Sequence, residues 1–185
     1  MRQRALLALL LLAGLLTQCR HGTPVPAPTP DPLSLLPPET QTGAGTFGCL
    51  INGQAYTAPF STLTSGDYTL YPQISINGQI YKNDNYSNEW YAISLVLNGN
   101  FYSGQPTVFD LAHALVTGKN QFYTTAASSA SPCYYTSKYP KRGQLTLTKF
   151  DGVARTASGR FAFTLYEPSG CDTLRVTDGR FDVKF

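Results

Sequence analysis

The sequence predicts an all-β fold: a single antiparallel β-sandwich, with a closed β-barrel as the alternative. Three observations carry that expectation. Charged residues are only 14% of the chain while aromatics reach 12%, with twelve Tyr and ten Phe, and aromatic side chains suit a pleated, half-buried surface. Sixteen Gly and thirteen Pro supply turn punctuation along the whole length. Phe161, Phe163 and Leu165 alternate with Arg160, Ala162 and Thr164, the period of two that marks a strand with one buried face. The 185 residues fit one domain by the usual range of roughly 100–200.

The chain opens on Met1-Arg2-Gln3-Arg4, a short basic segment, followed by twelve apolar residues from Ala5 to Leu16. At about 1.5 Å per residue a helix of that size falls well short of the roughly 30 Å hydrocarbon core. The pattern is that of a secretory leader. Leu16-Thr17-Gln18-Cys19 follows it and resembles the bacterial lipobox, in which cleavage before the cysteine precedes its diacylation; Gln18 stands where the motif favours Gly, Ala or Ser. Residues 1–18 are therefore expected to form a lipoprotein signal peptide, with Cys19 as the lipidated residue and the membrane as a partner through that anchor. Acyl chains contribute about 0.8 kcal/mol per buried methylene. Residues 19–45 carry seven prolines and read as an extended, lipid-anchored tether, leaving 46–185 as the β domain.

Within the domain, Thr46 to Ile51 places Phe47, Cys49 and Ile51 on one face. Asn52-Gly53 then signals a type I′ hairpin, because both central positions need positive φ, and this pairing sets Cys49 opposite Tyr56. Ile76-Asn77-Gly78-Gln79 repeats the local pattern and reads as a second turn. Strands are expected at Glu89 to Leu97, Gln121 to Thr125, Gly143 to Phe150 and Ser158 to Tyr166. Asp110 to Val116 fits either a short helix capped by Asp110 or a strand and turn. At the C-terminus the apolar phase flips across Asp178-Gly179: Leu174 and Val176 precede it at even positions, and Phe181 and Val183 follow at odd ones. A two-residue hairpin, pairing Arg175 with Asp182, is slightly favoured over a bulge in one long strand.

Apart from Cys19 the chain has three cysteines, Cys49, Cys133 and Cys171. Export exposes thiols to oxidation, so one disulfide and one leftover thiol are expected. If strand 143–150 pairs with strand 158–166, Cys133 and Cys171 arrive at the same edge, and they are the expected pair. The closed loop would contribute about 4 kcal/mol in the chain-entropy picture. Cys49, on an apolar face, reads as a buried thiol.

No catalytic or cofactor motif emerges. His21 and His113 are isolated, so no zinc site is indicated, and there is no nucleophile elbow, P-loop or dinucleotide fingerprint. Asp151, Asp172, Asp178 and Asp182 lack EF-hand spacing; a calcium site at Asp151 or Asp178 is outweighed by plain turn roles. Without Arg2 and Arg4 the charge is +1, which excludes the strongly basic face that nucleic acid requires. Trp90, Tyr91, Tyr134, Tyr135 and Tyr139, with Tyr81 and Tyr86, offer a candidate stacking surface for sugar rings, set against the plainer role of capping the core. Asp172-Thr173-Leu174 matches a short O-glycosylation acceptor, and Asn85-Tyr86-Ser87 an N-glycan sequon of little meaning in a bacterial chain.

Leu36 to Gly53 (LPPETQTGAGTFGCLING), Leu147 to Asp151, Ser158 to Phe163 and Cys171 to Phe185 (CDTLRVTDGRFDVKF) together resemble a domain-of-unknown-function family of bacterial chains assigned as lipoproteins. The resemblance implies an exported, lipid-anchored β domain facing the periplasm or outer membrane, and no activity. The expectation is a cell-envelope lipoprotein acting as a binding or structural module, with a glycan or an envelope protein as partner and no cofactor. The alternative is a hydrolase of envelope polymers.

Overall fold

The computed structural model describes residues 29–61, 64–70, 73–82, 88–115 and 118–185. Eleven strands account for most of them: β1 Thr46–Ile51, β2 Gln54–Thr57, β3 Thr64–Leu70, β4 Gln73–Lys82, β5 Trp90–Asn98, β6 Thr107–Leu111, β7 Gln121–Ser128, β8 Tyr134–Thr136, β9 Pro140–Asp151, β10 Thr156–Glu167 and β11 Cys171–Lys184. They form one sheet in the order β2-β1-β11-β10-β9-β6-β7-β5-β4-β3, with β8 added to β7. All ladders are antiparallel except β6–β7, so the sheet is mixed rather than purely antiparallel. The sheet folds over into two layers. Phe122 of β7 meets Phe163 of β10 across them at 6.5 Å between ring centroids. A two-pair ladder, Tyr56 with Lys82 and Thr57 with Tyr81, links β2 to β4, so the strand path returns on itself along the far edge.

The β1–β2 hairpin forms as the sequence dictates: Asn52 and Gly53 have φ of 49° and 84°, and Cys49 pairs with Tyr56. The second Ile-Asn-Gly-Gln is no turn. It lies inside β4, where Gly78 makes room for Phe47: a Cβ there would sit 2.5 Å from the Phe47 ring. Tertiary packing from the opposite layer explains this glycine, and local turn chemistry does not. The expected C-terminal hairpin is also replaced. β11 runs unbroken from Cys171 to Lys184, with a bulge at Asp178 (φ 54°). Phe161 pairs with Gly179 whereas Phe163 pairs with Val176, so the extra residue restores Leu174, Val176, Phe181 and Val183 to one buried face. Arg175 and Asp182 are thus not partners. Asp110 belongs to a strand, β6, and no helix forms there among the described residues.

The domain begins earlier than Thr46. Pro32–Leu35 form a 3-10 turn capped by Asp31, and residues 36–45 lie as a strap across the outer face of β1, β11, β10 and β9. Leu36 covers Leu50 and Ala55 in a small second core, which is why β1 is buried on both faces. Thr40, Thr42, Gly43 and Ala44 donate to the Asp182 carboxylate. The second half of the proline-rich segment is therefore part of the folded unit, because its polar groups find fixed partners that a free tether would lack. Among the described residues, no helix is long and apolar enough to cross a membrane.

Candidate functional site

Strand alternation divides the aromatic set that the sequence groups together. Tyr135 pairs with Ala126 on the inner face and is 7% exposed, whereas Tyr134 pairs with Ala127 on the outer face and is 56% exposed. Tyr91 also packs against the core, its ring edge-on to Tyr56 at 5.2 Å. Tyr81 is buried at the β2–β4 link. Trp90 is half-buried at the start of β5, its backbone N–H donating to Ser129 Oγ at 2.9 Å. Tyr139 lies in the turn after β8 with the Lys138 ammonium 5.4 Å over its ring. The structure therefore does not gather Trp90, Tyr91, Tyr134, Tyr135 and Tyr139 into one stacking platform: neighbours in sequence face opposite ways. Cys19, Asn85 and Tyr86 lie outside the described residues.

Tyr56 belongs to a polar cluster at the edge of the core. Its hydroxyl donates to Glu89, and Lys82 Nζ donates to the other Glu89 oxygen at 2.9 Å. Burial, then the bond to Glu89 and its charge, push the Tyr56 phenol far above its usual range. The Tyr56 and Lys82 hydrogen bonds hold Glu89 below the usual carboxylate range. Each named group is engaged, and the cluster reads as a stitch at the β2–β4 link.

A shallow trough of about 420 Å³ lies on the outer face of β9, β10 and β11. Two adjoining ladders, β9–β10 and β10–β11, build it. Thr164 of β10 is flanked by Arg142 of β9 and Arg175 of β11; Gln144 and Ala162 form the next row. One row further, Arg160 is flanked by Thr146 and Arg180, and here the strap covers the face. Arg160 Nε donates to Glu39 Oε2 at 2.8 Å, with Arg160 Nη2 on the same oxygen, and Arg180 Nη1 donates to the Pro37 carbonyl at 3.1 Å. Outside the strap, the Arg142 and Arg175 guanidiniums make no ion pair or hydrogen bond among the described residues, and both are exposed. An adjoining depression of about 300 Å³ adds Asp178 and Glu39. The arrangement is a face of four arginines, two of them engaged by the strap, Arg160 through a carboxylate and Arg180 through a backbone carbonyl. Alternation marks Arg160 and Arg175 as outward in the sequence; that Arg142 and Arg175 flank one threonine emerges only from the strand order.

Cys133 and Cys171 stand at bonding distance with Cα atoms 5.9 Å apart, and Cys49 is buried. No cluster of three His, Cys, Asp or Glu side chains could hold a metal among the described residues. His113 Nδ1 is hydrogen-bonded to the Lys138 carbonyl at 2.8 Å. Asp151 accepts from Val153 and Ala154 N–H groups, a turn role. Asp172 is exposed and Thr173 half-buried at the start of β11. Comparison with family models, characterised proteins and solved structures finds no match to the chain.

Proposed function

We propose that the chain is an exported cell-envelope lipoprotein, anchored through acylated Cys19, whose β-sandwich is a binding or structural module. The observation that carries this reading is the Cys133–Cys171 pair. A bonded pair of this kind belongs to an oxidising compartment, which a cytosolic chain does not meet. The basic start, the apolar run to Leu16 and the cysteine after it supply the route and the anchor, in keeping with the family the chain resembles. With Asp31 capping the turn at Pro32–Leu35, the stretch between the anchor and the domain is residues 20–30, a length that the polyproline II form would extend to roughly 34 Å.

Labelling with [³H]palmitate and intact-mass measurement of the mature protein test the anchor. The expected result is a chain that begins at Cys19, carries acyl mass, and loses the label in Cys19→Ser. An unacylated mature chain, or labelling unchanged by the substitution, overturns it.

A further inference from the structure

We infer that the trough between Arg142 and Arg175 is a binding site for a terminal phosphate group. The strap gives the internal comparison. On this one sheet face the two arginines beneath residues 37–39 are each met by an oxygen of the chain, Arg160 by the Glu39 carboxylate and Arg180 by the Pro37 carbonyl. Arg142 of β9 and Arg175 of β11, on the same face, have guanidiniums with no ion-pair or hydrogen-bond partner among the described residues. The acids of the adjoining depression are Glu39, already engaged, and Asp178.

Geometry selects the kind of anion. Arg142 and Arg175 flank Thr164 on either side, so their Cα atoms stand two strand spacings apart, about 10 Å. Arg142, Thr164 and Arg175 line the same depression, and an arginine side chain is long enough to span half of that separation; the Thr164 hydroxyl makes no bond to another protein group among the described residues. Ala162 keeps the floor low. A single carboxylate is satisfied by one guanidinium, as Glu39 is by Arg160. Two guanidiniums and a hydroxyl call for a charge near −2 and more than two acceptor oxygens, which a phosphate monoester supplies. Arginine forks fit such oxygens better than a lysine point charge does. Two like charges held side by side also repel, and a bound dianion removes that repulsion.

The test is titration of the full mature protein with inorganic phosphate at pH 8, at constant ionic strength against chloride, followed by NMR of backbone amides. Saturable shifts confined to residues 142–144, 162–164 and 175–177 are expected. Arg142→Gln and Arg175→Gln should each weaken binding about tenfold, as loss of a charge-assisted hydrogen bond does. The double variant should abolish it, while Arg155→Gln, in an exposed turn, changes nothing. Unaltered spectra away from the trough show that the variants fold. Shifts that chloride reproduces, or that persist in the double variant, overturn the inference.

Two further arms separate the sources of the group. Glucose 6-phosphate stands for soluble phosphomonoesters, and phosphatidylcholine vesicles containing phosphatidic acid stand for a lipid headgroup. Binding to either that is lost in the double variant supports the site and assigns its source. The vesicle arm uses the unacylated Cys19→Ser chain, so that an acyl anchor does not itself bind the bilayer; vesicle binding of that chain that survives the double variant is general charge attraction and counts against the site, as does the failure of every probe. Palmitate labelling is unaffected by any of these outcomes, so the anchor and the site stand or fall separately.

Discussion

Asp182 shows what one residue can do in this fold. It is 1% exposed, yet its carboxylate accepts from Thr40 Oγ1, both donors of Thr42, the N–H groups of Gly43 and Ala44, and Ser158 Oγ. Burial alone would raise its pKa. The hydrogen bonds from Thr40, Ser158, Ala44 and Thr42 outweigh burial and hold the group far below the usual carboxylate range. A depressed folded-state pKa means that Asp182 stabilises the fold at pH values above the unfolded-state pKa near 4, and that this contribution is lost as pH falls from there toward the folded-state value. Urea midpoints measured from pH 7 down to pH 2 should fall below about pH 4, and Asp182→Asn should flatten that dependence. Asp182→Ala should cost about 3 kcal/mol at pH 7, because several donors lose one charged acceptor. Cys49 is the opposite case, a titratable group with nothing to stabilise its charge. Burial pushes its thiol far up, so a thiol reagent should modify no cysteine of the folded Cys19→Ser chain, and one after unfolding without reductant.

At the scale of elements, two glycine-containing segments that look like turns are parts of strands. Gly78 in β4 is the seat of the Phe47 ring. Gly78→Ala should cost about 2 kcal/mol in thermal or urea unfolding, the usual range for overpacking a closed core. The control is Gly53→Ala. Its Cβ would meet nothing within 4 Å, and only the positive φ of 84° opposes it, at about 1 kcal/mol. The bulge in β11 is a phase corrector. Deleting Asp178 would turn Phe181 and Val183 toward the outer face, since a one-residue slip exchanges the two faces of a strand. That deletion should prevent folding, as read by loss of dispersed amide resonances. Asp178→Gly, which relaxes the left-handed backbone, should raise stability by about 0.5 kcal/mol.

For the molecule as a whole, the strap and the disulfide act at different places. The strap closes over the outer face through Leu36, the Glu39–Arg160 pair and the Asp182 cradle. The Cys133–Cys171 bond ties the segment before β8 to the start of β11. A chain starting at Thr46 loses Leu36 and every strap donor to Asp182, and should unfold several kcal/mol more easily than one starting at Pro30. Reduction of the disulfide should cost about 4 kcal/mol in the chain-entropy picture, on a loop set by a separation of 38 residues. The two losses should add within about 0.5 kcal/mol, since the groups share no partner.

Local chemistry by itself determined the all-β class, the Asn52-Gly53 hairpin with Cys49 opposite Tyr56, most strand positions, and the Cys133–Cys171 pairing. Each of these follows from period-two alternation, from positive φ at a turn, or from adjacency of two neighbouring strands. The sequence also showed that the apolar phase flips at Asp178, though not whether a hairpin or a bulge flips it. Tertiary structure decided that, because Leu174 to Val183 must lie along both β1 and β10 at once. It decided the role of Gly78, which answers to a ring on the opposite layer. It separated Tyr134 from Tyr135, and it drew residues 36–45 into the domain. It also set Arg142 and Arg175 around Thr164, since residues 33 apart become neighbours only once β9, β10 and β11 are laid side by side.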